Sequence, residues 1–448
     1  MTQRAGGRDM TLRAGWGRFR PVETQVARAR SEAEVAAALA AGPLIARGNG
    51  RAYGDSAVSP GLTLEMRGMD RMLSFDAQRG VLVAEAGVLL AEIIEVFLPR
   101  GWFPAVTPGT RFVTLGGAIA ADVHGKNHHL DGSFGAFVDW IDVMAADGSV
   151  TRATPDSDLF CWTVGGMGLT GVILRAAIRL RPVATGWIVQ DIRATQTLEA
   201  TIDMMDATLR APYSVAWLDC VTTGPMMGRG LVMLGRHAEV ADLPPSQRRR
   251  PFETPRKPAL RLPFDLPAAA LNGVTRQVFN ALYYRTGRRK PGPRLVNWAS
   301  YFYPLDAILD WNRGYGRAGF LQFQCALPEA GARAGLTALV TAIARSGEGS
   351  VLSVLKRFGA QEGRFSFPMA GYTLALDFPA NDRSLKLMER LDAITLEHGG
   401  RFYLAKDARL PRPVFEASDD RVPAFRAMRA QTGAAGRFVS VQSERLGL

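Results

Sequence analysis

The sequence predicts a mixed α+β fold with more than one domain. Segments with helical spacing of apolar residues alternate with short strand-like apolar segments along the first part of the chain. At 448 residues the chain exceeds the usual size of a single hydrophobic core, so two domains are expected. Hydrophobic residues make up 47% of the chain and charged residues 21%, which is enough apolar material for both cores.

The predicted elements follow one another closely up to a boundary at Pro182. Ser31 and Glu34 form a capping-box pattern ahead of VAAALAA, which predicts a helix before a short strand over 43–46. Strands are expected at 63–66, 71–76 and 81–86, followed by a helix over 89–98. VDWIDVMAADGSVTRAT predicts two strands around an Asp147-Gly148 turn, and a further strand is expected within 168–180.

Two glycine clusters indicate a binding site. RGNGRAYGD at 47–55 follows a strand, and its first two glycines free backbone N–H groups for an anion. It is not a dinucleotide-binding Rossmann turn, because Tyr53 occupies the third glycine position and no amphipathic helix follows; alone, it is equally typical of a mobile surface turn. In the second cluster, Gly116 and Gly117 open a predicted helix whose free N–H groups favour an anion. Two backbone cradles predict a long ligand.

The second cluster continues into HGKNHH, and YLAKDAR follows near the C-terminus. These stretches, with RGNGRAYGD and TPGTRFVTLGGAIAADV, resemble the decaprenylphosphoryl-β-D-ribose 2′-oxidases, flavoenzymes with the vanillyl-alcohol-oxidase (PCMH-type) FAD-binding fold. GWGRF at 15–19, TVGGMGLTGVI at 163–173, WNRGYGRAGFLQFQ at 311–324 and the residues at 366–379 match as well, so the resemblance covers nearly the whole chain. It implies an FAD-binding domain formed by 1–184 and 401–448. The residues 185–400 would form a substrate domain with an antiparallel sheet flanked by helices.

The resemblance implies an FAD site without a covalent link to the protein. Related lactone and alditol oxidases often carry a flavin-bonding histidine where this chain has Arg51, which is expected to reach a phosphate, to cap the loop or to make a surface salt bridge. The implied cofactor contacts are Arg47, Gly48, Asn49, Gly50, Arg51, Ala52, Tyr53, Gly54, Asp55, Gly109, Thr114, Leu115, Gly116, Gly117, Ala121, Asp122, Val123, His124, Ile173 and Tyr403.

The implied reaction is oxidation of the C2′ hydroxyl of a polyprenyl-phosphoryl-β-D-ribose to the 2′-keto sugar, with FAD accepting the hydride. This would be the first half of an epimerisation to the arabinose form in cell-wall arabinan biosynthesis, completed by an NAD(P)H-dependent keto-reductase as functional partner. The implied catalytic residues are Lys406, His124, Lys126 and Tyr53, and the proton acceptor is left open among His124, Lys406 and Tyr53. The implied substrate contacts are Lys126, Trp217, Tyr303, Gln322, Gln324, Lys356, Thr373, Ala375 and Lys406.

The chain departs from the family pattern at two positions. Mycobacterial members of the family carry a cysteine where this chain has Ala375, and nitroaromatic inhibitors form their covalent bond with that cysteine. Without a nucleophile at this position, we expect no such adduct. Thr373 replaces a family asparagine with a smaller hydrogen-bonding group, which affects sugar and lipid preference.

Two other functions remain open at this point. The first is a free-sugar alditol or aldonolactone oxidase of the same fold, although its expected first-loop histidine is missing. The second is an anion- or membrane-binding module that keeps the fold without the chemistry, which the retained Lys406, His124 and Lys126 disfavour.

The positive charge is concentrated in a basic, proline-rich insertion at 244–294. It contains twelve Lys and Arg residues against two acidic ones, whereas the whole chain has a net charge of +12. Nine prolines make regular structure improbable over much of it. The insertion is expected either to be a solvated, mobile segment or to contact anionic lipid headgroups; no nucleic-acid-binding pattern accompanies the charge.

The remaining sequence signals exclude several classes of protein. Cys161, Cys220 and Cys325 are scattered and odd in number, so neither a disulfide framework nor a metal site is expected. No apolar run reaches the length of a transmembrane helix, and the arginine-rich N-terminus lacks a hydrophobic signal segment. A soluble or peripheral membrane protein is expected, at the cytoplasmic face, with the periplasm as the alternative.

Overall fold

The computed structural model describes residues 10–255, 258–289 and 292–448. A first sheet has the strand order β1–β2–β4–β3, formed by β1 (Met10–Arg13), β2 (Val22–Arg28), β3 (Leu44–Arg47) and β4 (Leu62–Glu65). Helix α1 (Glu32–Ala40) connects β2 to β3. The Ser31 hydroxyl caps it as predicted, accepting from the Glu34 N–H, but the Glu34 carboxylate accepts from the N–H of Arg30, so the capping box is displaced by one residue.

A second sheet has the order β5–β6–β10–β8–β9, and a short strand also pairs with β10. Its strands are β5 (Met72–Asp76), β6 (Val81–Glu85), β7 (Trp102–Pro104), β8 (Val138–Met144), β9 (Val150–Ala153) and β10 (Val172–Pro182). The helices beside it are α2 (Leu90–Phe97), α3 (Leu115–Ala120), α4 (His128–Asp131) and α5 (Asp158–Thr163). The strands and helices predicted for this part of the chain are confirmed to within a few residues at their ends.

A third, antiparallel sheet follows, with the order β15–β11–β13–β12–β18–β19–β17–β20. Its strands are β11 (Trp187–Thr195), β12 (Tyr213–Leu218), β13 (Gly230–His237), β15 (Arg294–Asn297), β17 (Phe320–Pro328), β18 (Ser353–Phe358), β19 (Gly371–Pro379) and β20 (Arg401–Phe402). Helices α6 (Leu198–Ala207), α10 (Glu329–Ser346) and α11 (Asp382–Glu397) cover one face and bury the largest apolar cluster. The predicted α+β fold, with a helix-flanked antiparallel sheet, is confirmed.

The basic insertion contains more regular structure than its composition predicts. Helix α7 (Pro245–Arg248), strand β14 (Leu260–Arg261), helix α8 (Gly273–Arg288), helix α9 (Trp298–Phe302) and strand β16 (Ile308–Leu309) lie in or beside it. The expectation of little regular structure is wrong for α8, because the prolines occupy 244–267 and 291–293 and leave the residues between free to form a helix. Arg256, Lys257 and Lys290 of the insertion lie outside the described residues.

The C-terminal residues contact both the first and the third sheet. Strand β20 pairs with β17, whereas the backbone of Leu44 in β3 exchanges hydrogen bonds of 2.9 Å with Arg437 and Val439. Phe438 packs into the core beneath the first sheet. Helices α12 (Arg412–Ser418), α13 (Val422–Gln431) and α14 (Val441–Leu446) complete this part. No helix in the described ranges has the length and apolar character needed to cross a bilayer.

Candidate active site

A cavity of about 300 Å³ lies between the loops of the first two sheets and one face of the third sheet. The two glycine-rich loops, the alternating polar residues of β17 and β19, and the 403–406 segment line it. The site thus collects residues that are more than 300 positions apart in the sequence.

The first glycine loop presents a row of backbone donors. None of the described residues accepts a hydrogen bond from the N–H groups of residues 48–52. Gly50 adopts φ +63°, a left-handed conformation that favours glycine. The guanidinium of Arg47 donates to the Ala14 and Ala57 carbonyls at 2.8 and 3.1 Å and holds the loop in place. Consecutive unpaired N–H groups of this kind form an anion-binding concavity.

The second glycine loop lies directly against the first. A Cβ atom on Gly48 would lie 2.2 Å from the Thr114 hydroxyl, so only glycine fits at this position. The Asn49 side-chain amide donates to the Phe112 carbonyl at 2.8 Å. The two predicted loops therefore form one continuous wall.

The start of α3 differs from its predicted role. The Gly116 N–H donates to the Ala86 carbonyl at 2.8 Å, and the Gly117 N–H donates to the Thr114 hydroxyl at 3.2 Å. The expectation that these N–H groups are free for an anion is wrong, because neighbouring backbone and the cap residue already accept from them. Gly116 instead permits close packing, since a Cβ there would lie 2.8 Å from the Ala86 Cβ.

The C-terminal YLAKDAR segment packs beneath the first loop. The Tyr53 N–H donates to the Ala405 carbonyl at 2.9 Å. The Arg445 guanidinium lies 2.8 Å from both the Asp55 and the Asp407 carboxylates and joins the loop to this segment. The packing places the Lys406 ammonium nitrogen 3.6 Å from the centroid of the Tyr53 ring, inside the cavity.

Strand alternation explains the polar face of the third sheet. Gln322 pairs with Asp377 across β17 and β19, and Gln324 pairs with Ala375. These four residues line the cavity, as does Lys356 of β18. Their sequence neighbours point to the opposite face and join the main core: Leu321, Phe323, Cys325, Leu374, Leu376, Phe378 and Leu355.

Lys406 and Asp377 form the electrostatic centre of the cavity. Burial lowers the pKa of Lys406, and the Asp377 carboxylate opposes that shift. Burial also raises the pKa of Asp377, whose carboxylate accepts a hydrogen bond from the Gln322 amide. Burial and the Asp377 charge raise the pKa of Tyr53 well above its usual range. The two ionisable groups therefore titrate as a pair beside a neutral phenol.

His124 is held as a neutral imidazole. The Thr373 hydroxyl donates to the Cys325 carbonyl at 2.8 Å and accepts from the Gln324 amide at 3.1 Å, which fixes the orientation of that amide. The same amide nitrogen lies 3.0 Å from Nε2 of His124, so Nε2 accepts and the ring proton lies on Nδ1. Burial, with the nearby Lys356 charge, lowers the pKa of His124 well below its usual range.

Several cavity groups have no protein partner. In the described part of the chain, the Arg51 Nε, the Ser56 hydroxyl and the His124 Nδ1 are buried without a hydrogen bond. The Lys356 ammonium has neither a hydrogen bond nor an ion pair among the described residues, and burial lowers its pKa to about 8. Unsatisfied buried polar groups are costly, so this arrangement fits a polar, anionic ligand. No group of three or more metal-ligating side chains occurs in the described ranges.

Comparisons with known proteins agree with this geometry. Residues 24–154 match the FAD binding domain family model. The chain is 38% identical to the decaprenylphosphoryl-β-D-ribose oxidase of Mycolicibacterium smegmatis, over 97% of both chains. The chain belongs to the decaprenylphosphoryl-β-D-ribose oxidase family. This chain is 35% identical to an uncharacterized protein of Streptomyces coelicolor, over 81% of this chain and 100% of that protein. It is 27% identical to L-gulonolactone oxidase of Mus musculus, over 36% of this chain and 37% of that enzyme.

Family membership establishes FAD as the cofactor and the chain as an FAD-dependent oxidoreductase. The residues around the cavity suit that cofactor, because the first loop offers a row of backbone donors to a pyrophosphate and the cavity holds buried polar groups that have no partner among the described residues.

Most residues that the family resemblance implies do line the cavity. These are Gly48, Asn49, Gly50, Arg51, Ala52, Tyr53, Gly109, Thr114, Gly116, Gly117, Ala121, Val123, His124, Ile173, Gln322, Gln324, Lys356, Ala375, Tyr403 and Lys406. Arg47, Gly54, Asp55, Leu115 and Thr373 are not among the lining residues. Asp122, with φ +39°, accepts hydrogen bonds from Ser133, Gly135, Gln361 and Ser366 and holds the HGKNHH loop.

Three further implied residues lie away from the cavity lining. The Lys126 ammonium donates to the Tyr301 carbonyl, and burial lowers its pKa to about 7. The Tyr303 hydroxyl is hydrogen-bonded to the Thr107 hydroxyl, and the Tyr303 ring lies within an aromatic cluster. Trp217 donates to the Val351 carbonyl at 3.1 Å and packs under α8. Their roles in substrate binding stay predictions.

Sequence reasoning missed Asp377, Trp16 and Trp311. Asp377 has the same strand parity as Thr373 and Ala375, so alternation along GYTLALDFP would have found it. The Arg51 guanidinium stacks on the Trp16 ring at 3.9 Å, and Trp311 contacts both Trp16 and Tyr53. GWGRF and WNRGYG carried these two tryptophans as family matches, but nothing in their spacing predicts that they meet.

Proposed function

We propose that this chain oxidises the C2′ hydroxyl of a polyprenyl-phosphoryl-β-D-ribose to the 2′-keto sugar. The observation that carries the proposal is the pair of buried lysines, Lys406 and Lys356, in one cavity with the amides of Gln322 and Gln324 and beside the first glycine loop. The printed name of the Mycolicibacterium relative supports the choice of substrate. When bound, FAD supplies the hydride acceptor.

Lys406 is the proton acceptor best supported by the cavity. Tyr53 stays protonated, because burial raises the pKa of its phenol. The Nε2 lone pair of His124 already accepts from Gln324, and its imidazole has a lowered pKa. Burial lowers the pKa of Lys406, so its neutral amine is populated near neutral pH and takes the hydroxyl proton as the hydride leaves C2′. The Asp377 carboxylate stabilises the ammonium that forms.

The other cavity residues orient the substrate. The Gln324 amide nitrogen makes the contacts with His124 and Thr373, so the side-chain oxygen of Gln324 suits a sugar hydroxyl as its acceptor. Lys356, which has no partner among the described residues, suits the substrate phosphate as a charge-assisted donor. Arg51 stands where covalent relatives carry histidine, and we propose that the first loop holds FAD without a covalent bond.

The proposal extends to the organisation of the whole chain. Residues 1–184 and 401–448 would hold the cofactor, and 185–400 would hold the substrate; the hydrogen bonds between Leu44 and 437–439 support the return of the C-terminus. The 2′-keto product needs a separate NAD(P)H-dependent keto-reductase to complete an epimerisation. A lipid-linked substrate also favours peripheral contact of the basic insertion with an anionic membrane, at the cytoplasmic face.

Anaerobic titration of the FAD-loaded protein tests the proposal. We expect polyprenyl-phosphoryl ribose to bleach the flavin absorbance, whereas free alditols and aldonolactones leave it unchanged over the same time. Bleaching by the free sugars alone would favour a free-sugar oxidase. A protein that purifies without any flavin absorbance would favour the binding module.

A further inference from the structure

Helix α8 (Gly273–Arg288) in the basic insertion has its polar side turned inward. Its buried residues are Arg276, Asn280 and Tyr284, which are 6%, 1% and 7% exposed. A helix on a globular protein ordinarily buries its apolar stripe and exposes its polar one. The arrangement in α8 is the reverse.

Polar contacts anchor the inward side to the third sheet. Arg276 donates to the Gly347 carbonyl at 2.9 Å and lies 3.5 Å from the Glu348 carboxylate. Asn280 donates to the Asp219 carboxylate at 3.0 Å, and the Tyr284 hydroxyl donates to the Thr195 carbonyl at 3.0 Å. The orientation of α8 is therefore specified by buried hydrogen bonds.

An apolar stripe faces outward along the same helix. Val274, Val278 and Leu282 follow one another at four-residue spacing and are 68%, 53% and 57% exposed. Phe279, 46% exposed, lies beside them. We call this set the α8 stripe. Large apolar side chains grouped on an exposed surface mark an interaction site.

The charges around the α8 stripe select the kind of partner. Arg285 and Arg288 are exposed on the last turn of α8, next to Leu282, and α8 itself contains no acidic residue. Elsewhere in or beside the basic insertion, β14 and β16 pair Leu260 with Ile308, which are 70% and 43% exposed. Arg261 follows Leu260 and is ion-paired with Asp310 at 2.9 Å. Apolar side chains interleaved with arginines match a bilayer surface with anionic headgroups.

The inward side of α8, opposite the α8 stripe, lies close to the cavity lining. Asn280 donates to the Ser350 carbonyl at 3.3 Å, and the Ser350 hydroxyl accepts from the Asp377 N–H at 3.2 Å. Trp217, which packs against Tyr283 of α8, pairs in the sheet with the cavity residue Val354. One layer of residues thus separates the helix from the cavity.

We infer that α8 is a membrane-inserting helix whose outward stripe of Val274, Val278, Phe279 and Leu282 enters an anionic lipid monolayer beside the cavity. The inference rests on the proposed function, because a lipid-linked substrate explains why the protein would lie at a membrane. It assigns the membrane contact of the basic insertion to these four side chains. Vesicle binding without turnover tests it separately from the proposed oxidation.

The test is cosedimentation of the FAD-loaded full chain with phosphatidylcholine vesicles, with and without phosphatidylglycerol. We expect binding to the mixed vesicles, and about tenfold or greater weakening in a Val278→Glu/Leu282→Glu variant, because two charges cannot enter the acyl region. A Leu12→Glu/Leu73→Glu variant is the matched control, since those side chains are 62% and 44% exposed elsewhere. The control is expected to bind like the unaltered protein.

Other outcomes would overturn the inference. Equal binding by the α8 variant and its control would show that the α8 stripe does not enter the membrane. Equal binding to vesicles without phosphatidylglycerol would remove the role of the arginines. Sedimentation velocity is the second measurement: a dimer that the α8 variant converts to a monomer would assign the α8 stripe to a second copy of the chain. Bleaching of the variant's flavin by a short-chain, soluble substrate reports on the proposed oxidation alone.

Discussion

In the proposed reaction, proton transfer depends on two residues, Lys406 and Asp377. A buried amine acts as a base only in its neutral form, and the carboxylate opposes that form by stabilising the ammonium. The chain therefore places the proposed base, Lys406, and the carboxylate that stabilises its protonated form on different elements, the C-terminal segment and β19. Their coupling sets the pH range in which the amine is free.

The pH dependence of kcat/KM tests this pairing. Activity is expected to rise with pH as the lowered pKa of Lys406 is crossed, because the neutral amine is the active form. In the Asp377→Asn variant the pKa of Lys406 falls further, so the acidic limb of the kcat/KM profile moves to lower pH. The plateau of the profile falls about tenfold or more, because the carboxylate that stabilises the ammonium is gone. Asp382→Asn, an exposed carboxylate on α11, is the control. An unmoved limb in Asp377→Asn would contradict the pairing.

The residue at 375 is predicted to decide whether nitroaromatic inhibitors form a covalent adduct with this chain. Ala375 lines the cavity but has no nucleophile, so intact-protein mass spectrometry is expected to show no adduct at this position after turnover with the inhibitor. An Ala375→Cys variant places a thiol on the same strand face and is expected to gain one adduct mass. An adduct mapped to residue 375 of the unaltered chain would contradict the expectation. Failure of the Ala375→Cys variant to react would show that this strand face is not aligned with the bound inhibitor.

The two glycine loops act as one element because they touch. Gly48→Ala would place a Cβ 2.2 Å from the Thr114 hydroxyl and force the loops apart. We expect the variant to purify with less than half the flavin of the unaltered protein, measured as the ratio of flavin to protein absorbance. Gly436→Ala is the matched control, since a Cβ there meets nothing within 4 Å. Full flavin content in Gly48→Ala would show that the wall does not depend on this contact.

The first glycine loop is expected to hold FAD without a covalent bond. With Arg51 in place of a flavin-bonding histidine, precipitation of the protein by acid is expected to release all of the yellow colour into the supernatant. Colour that stays with the pellet after washing would demonstrate a covalent bond and overturn the expectation.

Strand alternation shows how far an element can be predicted without a structure. The alternation of polar and apolar residues in FLQFQC and GYTLALDFP separates the two faces of the sheet before any coordinates are known. The same alternation puts Asp377 on the face that carries Thr373 and Ala375. The inward polar side of α8 is different. Its anchors, Asp219 and Glu348, lie on distant segments, and no helical periodicity within 273–288 identifies them.

At the scale of the whole molecule, Arg445 joins the C-terminus to the first glycine loop. Its guanidinium lies 2.8 Å from both Asp55 and Asp407, and all three side chains are largely buried. Arg445→Met leaves two buried carboxylates unpaired, which costs about 3–5 kcal/mol of the free energy of unfolding. Urea unfolding followed by circular dichroism measures the loss.

Arg437→Met provides the comparison for that experiment. Arg437 is partly exposed and its side chain forms no ion pair within the described ranges, so a change below about 0.5 kcal/mol is expected. Equal stability of the two variants would show that the bridge between the C-terminus and the loop is not a stabilising contact.

The sequence by itself determined the α+β class, the order of the early elements, the glycine loops and the family with its FAD. These depend on local backbone preferences and on short motifs, which are written in neighbouring residues. Only the tertiary structure decided which donors are free, which base is neutral and which side of α8 faces outward. Each of those properties depends on burial and on partners tens to hundreds of residues away, and the distances that set hydrogen bonds and pKa values exist only after the chain has folded.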